Sequence, residues 1–220
     1  MISARKTFWA SLLLAAGLFT PALVAQEEAH EALDHRVRSF LDAHRGQWRD
    51  LNVPEVDGQM LYDLVLENGY TTALELGTST GHSGIWIAWA LAKTGGKLIT
   101  VEIDERRYDE ALGHFEEAGL SQYIDARLTD AHQLVYEIDG PFDFIFVDAD
   151  KDWYTRYFEA LLPKLEVGGC FTAHNVSSRG RRGRGGTGGF VTALENTPDL
   201  ETEIFQAGGG LSISYKRAEN

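Results

Sequence analysis

Cysteine is almost missing from this chain: Cys170 is the only one in 220 residues. An intramolecular disulfide and a multi-cysteine metal site are therefore excluded, and Cys170 reads as an ordinary buried strand residue. Base is scarce beside acid, with 20 Lys and Arg against 33 Asp and Glu and a formal net charge of −13. General nucleic-acid binding needs a basic field facing the phosphates, which a chain this acidic does not supply. Internal repeats and an interdomain linker are absent too. What remains, at 44% hydrophobic residues, suits one globular α/β domain with a full core and terminal extras.

The N-terminus differs from the rest. Arg5 and Lys6 precede an uninterrupted apolar and small-residue run, Phe8 to Phe19, which Pro21 breaks before the polar Gln26-Glu27-Glu28. This is a secretory signal pattern, with Leu23-Val24-Ala25 as the cleavage site. Residues 7–24 retained as a membrane anchor are the alternative, because Leu is unusual three residues before a cut. Residues 1–25 are thus a signal peptide or anchor and the product is exported or tethered. Contact with a membrane is expected only if this segment stays uncleaved. Residues 26–51 form an amphipathic helix (Leu33, Val37, Phe40 and Leu41 on its apolar face; His30, His35 and His44 solvated), and 52–220 form the main domain.

From there strands and helices alternate. A helix over Val56–Asn68 ends at Gly69. Thr72–Leu76 reads as a buried strand, followed by a turn with Gly77 and Gly81 and a helical run, Ile85–Leu91. Lys97–Ile103, Ile124–Leu128, Phe142–Val147 and Cys170–Ala173 are strands, the last opened by Gly168-Gly169. Asp104–Ala118, Ala131–Glu137, Trp153–Leu165 and Phe190–Asn196 are the intervening helices. Leu200–Gln206 and Leu211–Tyr215, separated by Ala207-Gly-Gly-Gly210, make a hairpin. Such alternation implies a parallel sheet with helices on both faces and ligands at the carboxyl ends of its strands.

The chemistry-bearing residues fall at those ends. Strand, glycine turn, helix is the unit that nucleotide-like cofactors use, although glycines at 77, 81 and 84 are not GxGxxG, which disfavours a nicotinamide-dependent oxidoreductase. Glu102, ending the second strand, is placed to hold ribose hydroxyls, and Asp104 reads as a helix cap. Asp130 either accepts from an adenine amino group or caps the short helix behind it. Asp148, His174 and Asn175 either converge on one divalent metal through oxygen and nitrogen, or Asp148 pairs with Lys151 and His174 is hydrogen-bonded in its loop. The Arg/Gly run holding Arg179, Arg181, Arg182 and Arg184 either clamps an acidic group of a substrate or is a solvated loop. Trp153 and Tyr154 are placed to wall an acceptor pocket.

ALELGTSTGHS, VEID, FDFIFVDADKDWY and the glycine-led strand ending in HNV together resemble the class I S-adenosylmethionine-dependent O-methyltransferases of the catechol and caffeoyl-CoA type. Asn52-Val53-Pro54 with Asp57-Gly58-Gln59 is similar to that family's N-terminal cofactor-contact segment. The resemblance implies a Rossmann-like α/β fold: a seven-stranded, mostly parallel sheet with an antiparallel last strand. It implies S-adenosylmethionine as cofactor, with Val53 in the contact segment, Glu75, Gly77, Ser79 and Ser83 at its methionine end, Glu102 at the ribose and Asp130 at the adenine. Asp148 would ligate a divalent metal (Mg, Mn or Zn) and share the catalytic centre with Lys151, the general base, beside a small hydroxyl acceptor. His174 stands where the family has a carboxylate, which shifts the expected metal from Mg²⁺ towards softer ions. Homodimers are common in the family. A non-catalytic binding module that reuses the fold is the rival expectation.

Overall fold

Apolar runs bounded by glycine build the centre of the sheet, and amphipathic runs build the layers around it. The protein, seen in a computed structural model, is described over residues 21–48, 50–176 and 187–217. Its helices are α1 (Pro21–Ala43), α2 (Glu55–Asn68), α3 (His82–Thr94), α4 (Glu105–Ala118), α5 (Ala131–Glu137), α6 (Tyr154–Leu161) and α7 (Thr187–Glu195). Its strands are β1 (Thr72–Leu76), β2 (Lys97–Glu102), β3 (Ile124–Leu128), β4 (Phe142–Val147), β5 (Leu165–His174), β6 (Leu200–Phe205) and β7 (Leu211–Lys216). The strands form one sheet in the order β3-β2-β1-β4-β5-β7-β6. β7 alone runs antiparallel to its neighbours, pairing Thr172 with Ile213 on one side and Glu203 with Ile213 on the other.

Strand alternation divides the core in two. Phe144 and Phe146 of β4 face α2, α3 and α4, whereas Ile145 and Val147 face α5, α6 and α7. Full burial of each such side chain contributes roughly 1.5–3 kcal/mol. Helix α1 joins the first layer through buried Val37 and Phe40. Asp34 anchors it by accepting from Trp89 Nε1 at 2.7 Å and Lys93 Nζ at 2.8 Å. The connections reverse direction between β1 and β4, opening a crevice at their carboxyl ends, the usual ligand position in such sheets.

Several expectations are corrected in detail. Glycines 168 and 169 lie inside β5, because the strand begins at Leu165 and bulges opposite Phe142 and Phe144. A Cβ on Gly169 would sit 2.9 Å from the Asp143 carbonyl oxygen, so glycine lets the strand pass there. The helix expected over Trp153–Leu165 is α6 flanked by two 3-10 turns, Lys151–Trp153 and Leu162–Lys164. Pro163 has no N–H to continue the α-helical ladder. Helix α1 covers Pro21–Ala43 rather than residues 26–51. His44 is half-buried rather than solvated, packed against Phe40 and His114. No helix among the described residues is long and apolar enough to cross a membrane. Residues 1–20 and the arginines at 179–184 lie outside the described residues.

Candidate active site

The turn after β1 sets the crevice floor. Gly77 N–H and Thr78 N–H both donate to the Val101 carbonyl at 3.0 Å, tying β1 to β2. Gly77 has φ +98°, and a Cβ there would lie 2.9 Å from Ala149 N and from the Asp148 carbonyl carbon. Only glycine lets the exits of β1 and β4 approach this closely. Ser79 takes a left-handed backbone, φ +48°, without being glycine. It is held by its N–H donating to Glu102 Oε2 at 2.7 Å and its hydroxyl donating to the Asp50 carbonyl. A strained residue fixed from two sides is common where a ligand must be met.

Glu102 ends β2 on the same rim. Its Oε1 accepts from Ile103 N–H and Asp104 N–H, both at 3.0 Å, and its Oε2 accepts from Ser79 N–H. Each carboxylate oxygen has two lone pairs, so Oε1 is filled and Oε2 keeps one for a ligand hydroxyl. Asp104 caps α4 as expected, accepting from Arg107 N–H at 2.9 Å. Asp130 caps α5, accepting from His132 N–H at 2.8 Å, and it lines the cleft.

Glu75 lies deeper, on the α3 face of β1, and is fully buried. Its Oε2 accepts from Thr100 Oγ1, while its Oε1 has no partner in the protein. Burial pushes its carboxyl up to about 7, against the lowering hydrogen bonds of Ser83 and Thr100, and nearby Asp148 and Glu102 push it further. Ser83, in the first turn of α3, is buried with it rather than on the cleft wall.

The acidic pair at the end of β4 is partnered. Asp148 Oδ1 lies 2.6 Å from Lys151 Nζ, and Asp148 Oδ2 lies 3.1 Å from His174 Nδ1. The other ring nitrogen of His174, Nε2, is 3.0 Å from Oδ2 of Asp57, a fully buried acid on the first turn of α2. Burial pulls the His174 ring down, but Asp148 and Asp57 outweigh it and hold the pKa above the ordinary value. Asn175 follows on the rim with φ +57°. These groups and the Glu102 rim enclose a cleft of about 770 Å³, a volume suited to a small ligand.

The donor set does not fit a divalent metal. Both Asp148 oxygens and both His174 nitrogens already face protein partners, which leaves Asn175 as the one expected ligand without that commitment. Among the described residues no cluster of three His, Cys, Asp or Glu is arranged to hold an ion.

Val53 is buried away from the cleft, with its carbonyl 2.9 Å from His82 Nδ1. Burial lowers His82 to about 4 despite that carbonyl, keeping the ring neutral. Trp153 and Tyr154 do not line the cleft: Trp153 stacks on His132 at 3.8 Å, and the buried Tyr154 donates to the His174 carbonyl at 3.0 Å. Tyr157 and His132 line the wall instead. Asp57, Asn52 and His132 were not singled out as site residues. Asn52 donates to Thr80 Oγ1 at 2.8 Å, bracing the glycine turn. For Asp57 the signal was its place in a recognised contact segment.

The O-methyltransferase family model matches residues 25–182. A catechol O-methyltransferase of Niastella koreensis is 44% identical over 112 residues, covering 49% of this chain and 50% of that protein. A flavonoid 3',5'-methyltransferase of Vitis vinifera is 31% identical over 158 residues, covering 69% and 66%. The chain thus spans about half to two thirds of the length of these curated relatives. Among solved structures, an O-methyltransferase from Bacillus cereus in complex with SAH superposes with TM-score 0.72 at 25% identity, covering 88% of this chain and 97% of that one.

Proposed function

Since the chain belongs to the O-methyltransferase family, we propose that it transfers a methyl group from S-adenosylmethionine to a hydroxyl oxygen of a small, catechol-like acceptor. The observation that carries this is one cleft lined by Glu102 with the Gly77–Ser79 turn and by the Asp148–Lys151 pair, which would serve as its cofactor and reaction ends. The residues suit the cofactor. Glu75 offers a buried oxygen without a partner among the described residues, Gly77 leaves backbone room, and Glu102 keeps one lone pair on Oε2. When bound, S-adenosylmethionine supplies an electrophilic methyl on a sulfonium.

Glu102 would accept from the ribose hydroxyls, Asp130 would lie at the adenine, and Ser79, Ser83 and Glu75 would hold the methionine end. Lys151, in its neutral form, would take the proton from the acceptor hydroxyl as the new O–C bond forms and the S–C bond breaks. The proton ends on Nζ and is held there by Asp148 Oδ1, so charge is conserved across the step. Most of the acceleration would come from positioning and a preformed field. Export or tethering through residues 1–25 belongs to the same proposal, with fractionation of the expressed protein as its check.

The test is calorimetric titration with S-adenosylmethionine, followed by methyl transfer to a panel of catechols. Saturable binding that Glu102→Ala abolishes, with a methyl ether as product, is the expected result. Folded protein that binds no cofactor would refute the proposal. Binding without turnover on any hydroxyl acceptor would favour the non-catalytic module.

A further inference from the structure

His174 stands where the sequence pattern calls for a metal-ligating carboxylate, and its surroundings are those of a cation. Its two ring nitrogens lie 3.0 and 3.1 Å from oxygens of Asp57 and Asp148. A neutral imidazole has one N–H, so one of these contacts would set a lone pair against a carboxylate, whereas an imidazolium donates to both. Asp57 is fully buried, and an unpaired carboxylate there would be expensive. Its Oδ2 also accepts from Gly209 N–H at 2.6 Å. The hairpin turn closes over the pair from above: a Cβ on Gly209 would lie 2.3 Å from His174 Nε2, and one on Gly208 2.1 Å from Asp57 Oδ1. That side has no space for an ion or its water shell.

We infer that the Asp57–His174–Asp148 cluster is a built-in cation site that takes the place of a divalent metal, so that cofactor binding and methyl transfer need no metal ion. At rest the charges already balance. Asp57 and Asp148 supply two negative charges, and the His174 imidazolium and Lys151 two positive ones, Lys151 giving up its proton only for the transfer step. A divalent ion would leave an excess of two positive charges in a largely buried site and would have to displace hydrogen bonds from both Asp148 oxygens. Chelation of two neighbouring oxygens is then no longer required of the acceptor, and a single phenolic hydroxyl beside Lys151 meets the same chemistry. The transfer half of this inference rests on the methyltransferase reading above; the metal half stands on the cluster itself.

The decisive measurement is Mn²⁺ titration of the full chain, read by the electron paramagnetic resonance of free Mn²⁺, with Mg²⁺ followed by calorimetry. No saturable binding is expected for the native protein, and S-adenosylmethionine affinity should be unchanged by a chelator. His174→Asp replaces the cation by a third carboxylate and should raise Mn²⁺ affinity by roughly tenfold or more. Stoichiometric Mn²⁺ binding by the native protein that Asp148→Asn removes would overturn the inference. Should His174→Asp not fold, ¹⁵N spectra of the native His174 ring decide the matter: two protonated nitrogens at neutral pH support the cluster, and a neutral ring overturns it. Cofactor titration without metal reports separately on the methyltransferase reading, since its failure leaves the Mn²⁺ and ring results intact.

Discussion

Glu75→Gln should make the protein more stable at alkaline pH while weakening its hold on a cationic ligand. The carboxyl ionises near 7 in the folded chain against an ordinary 4.5. Between those values the folded state keeps a proton that the unfolded state has released, so stability falls as pH rises through the window. Each pH unit inside it removes about 1.4 kcal/mol, which amounts to about 3 kcal/mol by pH 8 and less than about 1 kcal/mol at pH 5. Glutamine keeps the shape and cannot ionise, and its amide nitrogen takes the place of Oε1, which has no partner among the described residues of the native protein. Urea unfolding of native and variant protein at pH 5, 6, 7 and 8 gives the difference directly. The variant should gain roughly 2–3 kcal/mol on the native protein between the extremes. The raised His174 ring also makes stability fall with rising pH, but it is present in both proteins and cancels. Because the anion is what a positively charged ligand would meet, binding of S-adenosylmethionine should weaken by about tenfold to a hundredfold. Parallel stability curves for the two proteins would refute this account of Glu75.

Gly77→Ala places a Cβ 2.9 Å from the backbone of Asp148 and Ala149 at φ +98°. It should cost about 2–4 kcal/mol in urea unfolding and abolish cofactor binding in calorimetry; unchanged affinity would show that the β1–β4 crossing does not shape the cleft. Lys151→Arg preserves the charge beside Asp148 but cannot act as a base at neutral pH, so both it and Lys151→Ala should lower kcat by about 10²–10⁴ with little change in cofactor affinity. Rescue of kcat by arginine would instead assign Lys151 an electrostatic role. Arg36→Ala removes a guanidinium that donates to the last-turn carbonyls of α4, Glu117 at 2.8 Å and Glu116 at 2.7 Å. A loss of about 1 kcal/mol, with faster amide exchange in α1 and the end of α4, is expected; unaltered exchange would mean that α1 docks through its apolar face alone.

The sheet was legible because its signals are local. Thr72–Leu76, Ile124–Leu128 and Phe142–Val147 fold as strands with the bounds their apolar runs and flanking turns imply. The antiparallel end was likewise visible in two β-rich segments separated by glycines. The departures come from contacts that no short window contains. Gly168-Gly169 reads as the opening of a strand that starts at Cys170, yet its neighbours across the sheet hold it inside a longer, bulged strand. Asp57 is 117 residues from His174 and sits on a helix whose apolar face dominates its pattern, so nothing local marks it as half of a buried ion pair. His174 itself was legible as a departure from a carboxylate, but its two partners were not, and they decide whether the imidazole ligates or is itself the cation.

Glu102 and Asp148 on the crevice wall and Glu75 beneath it differ in their partners, and those partners sort their roles. Glu102 is fixed by three backbone N–H groups, that of Ser79 in the glycine turn and those of Ile103 and Asp104 just after β2. Asp148 is bracketed by Lys151 and His174 and has little charge left to offer a new cation. Glu75 has only hydroxyl donors and one oxygen without a partner, so it is the acid whose ionisation a ligand can change. A positively charged group arriving beside it would stabilise the carboxylate and drive a proton out, whereas a neutral ligand would leave the proton in place. On the proposed function, ligand charge would thus be read beneath the turn, by a residue absent from the cleft wall, with the wall residues supplying shape. Under the proposed function that division would explain why an acid costly to the empty fold is held near the carboxyl end of β1: a cationic cofactor would relieve its penalty, and a neutral ligand would not.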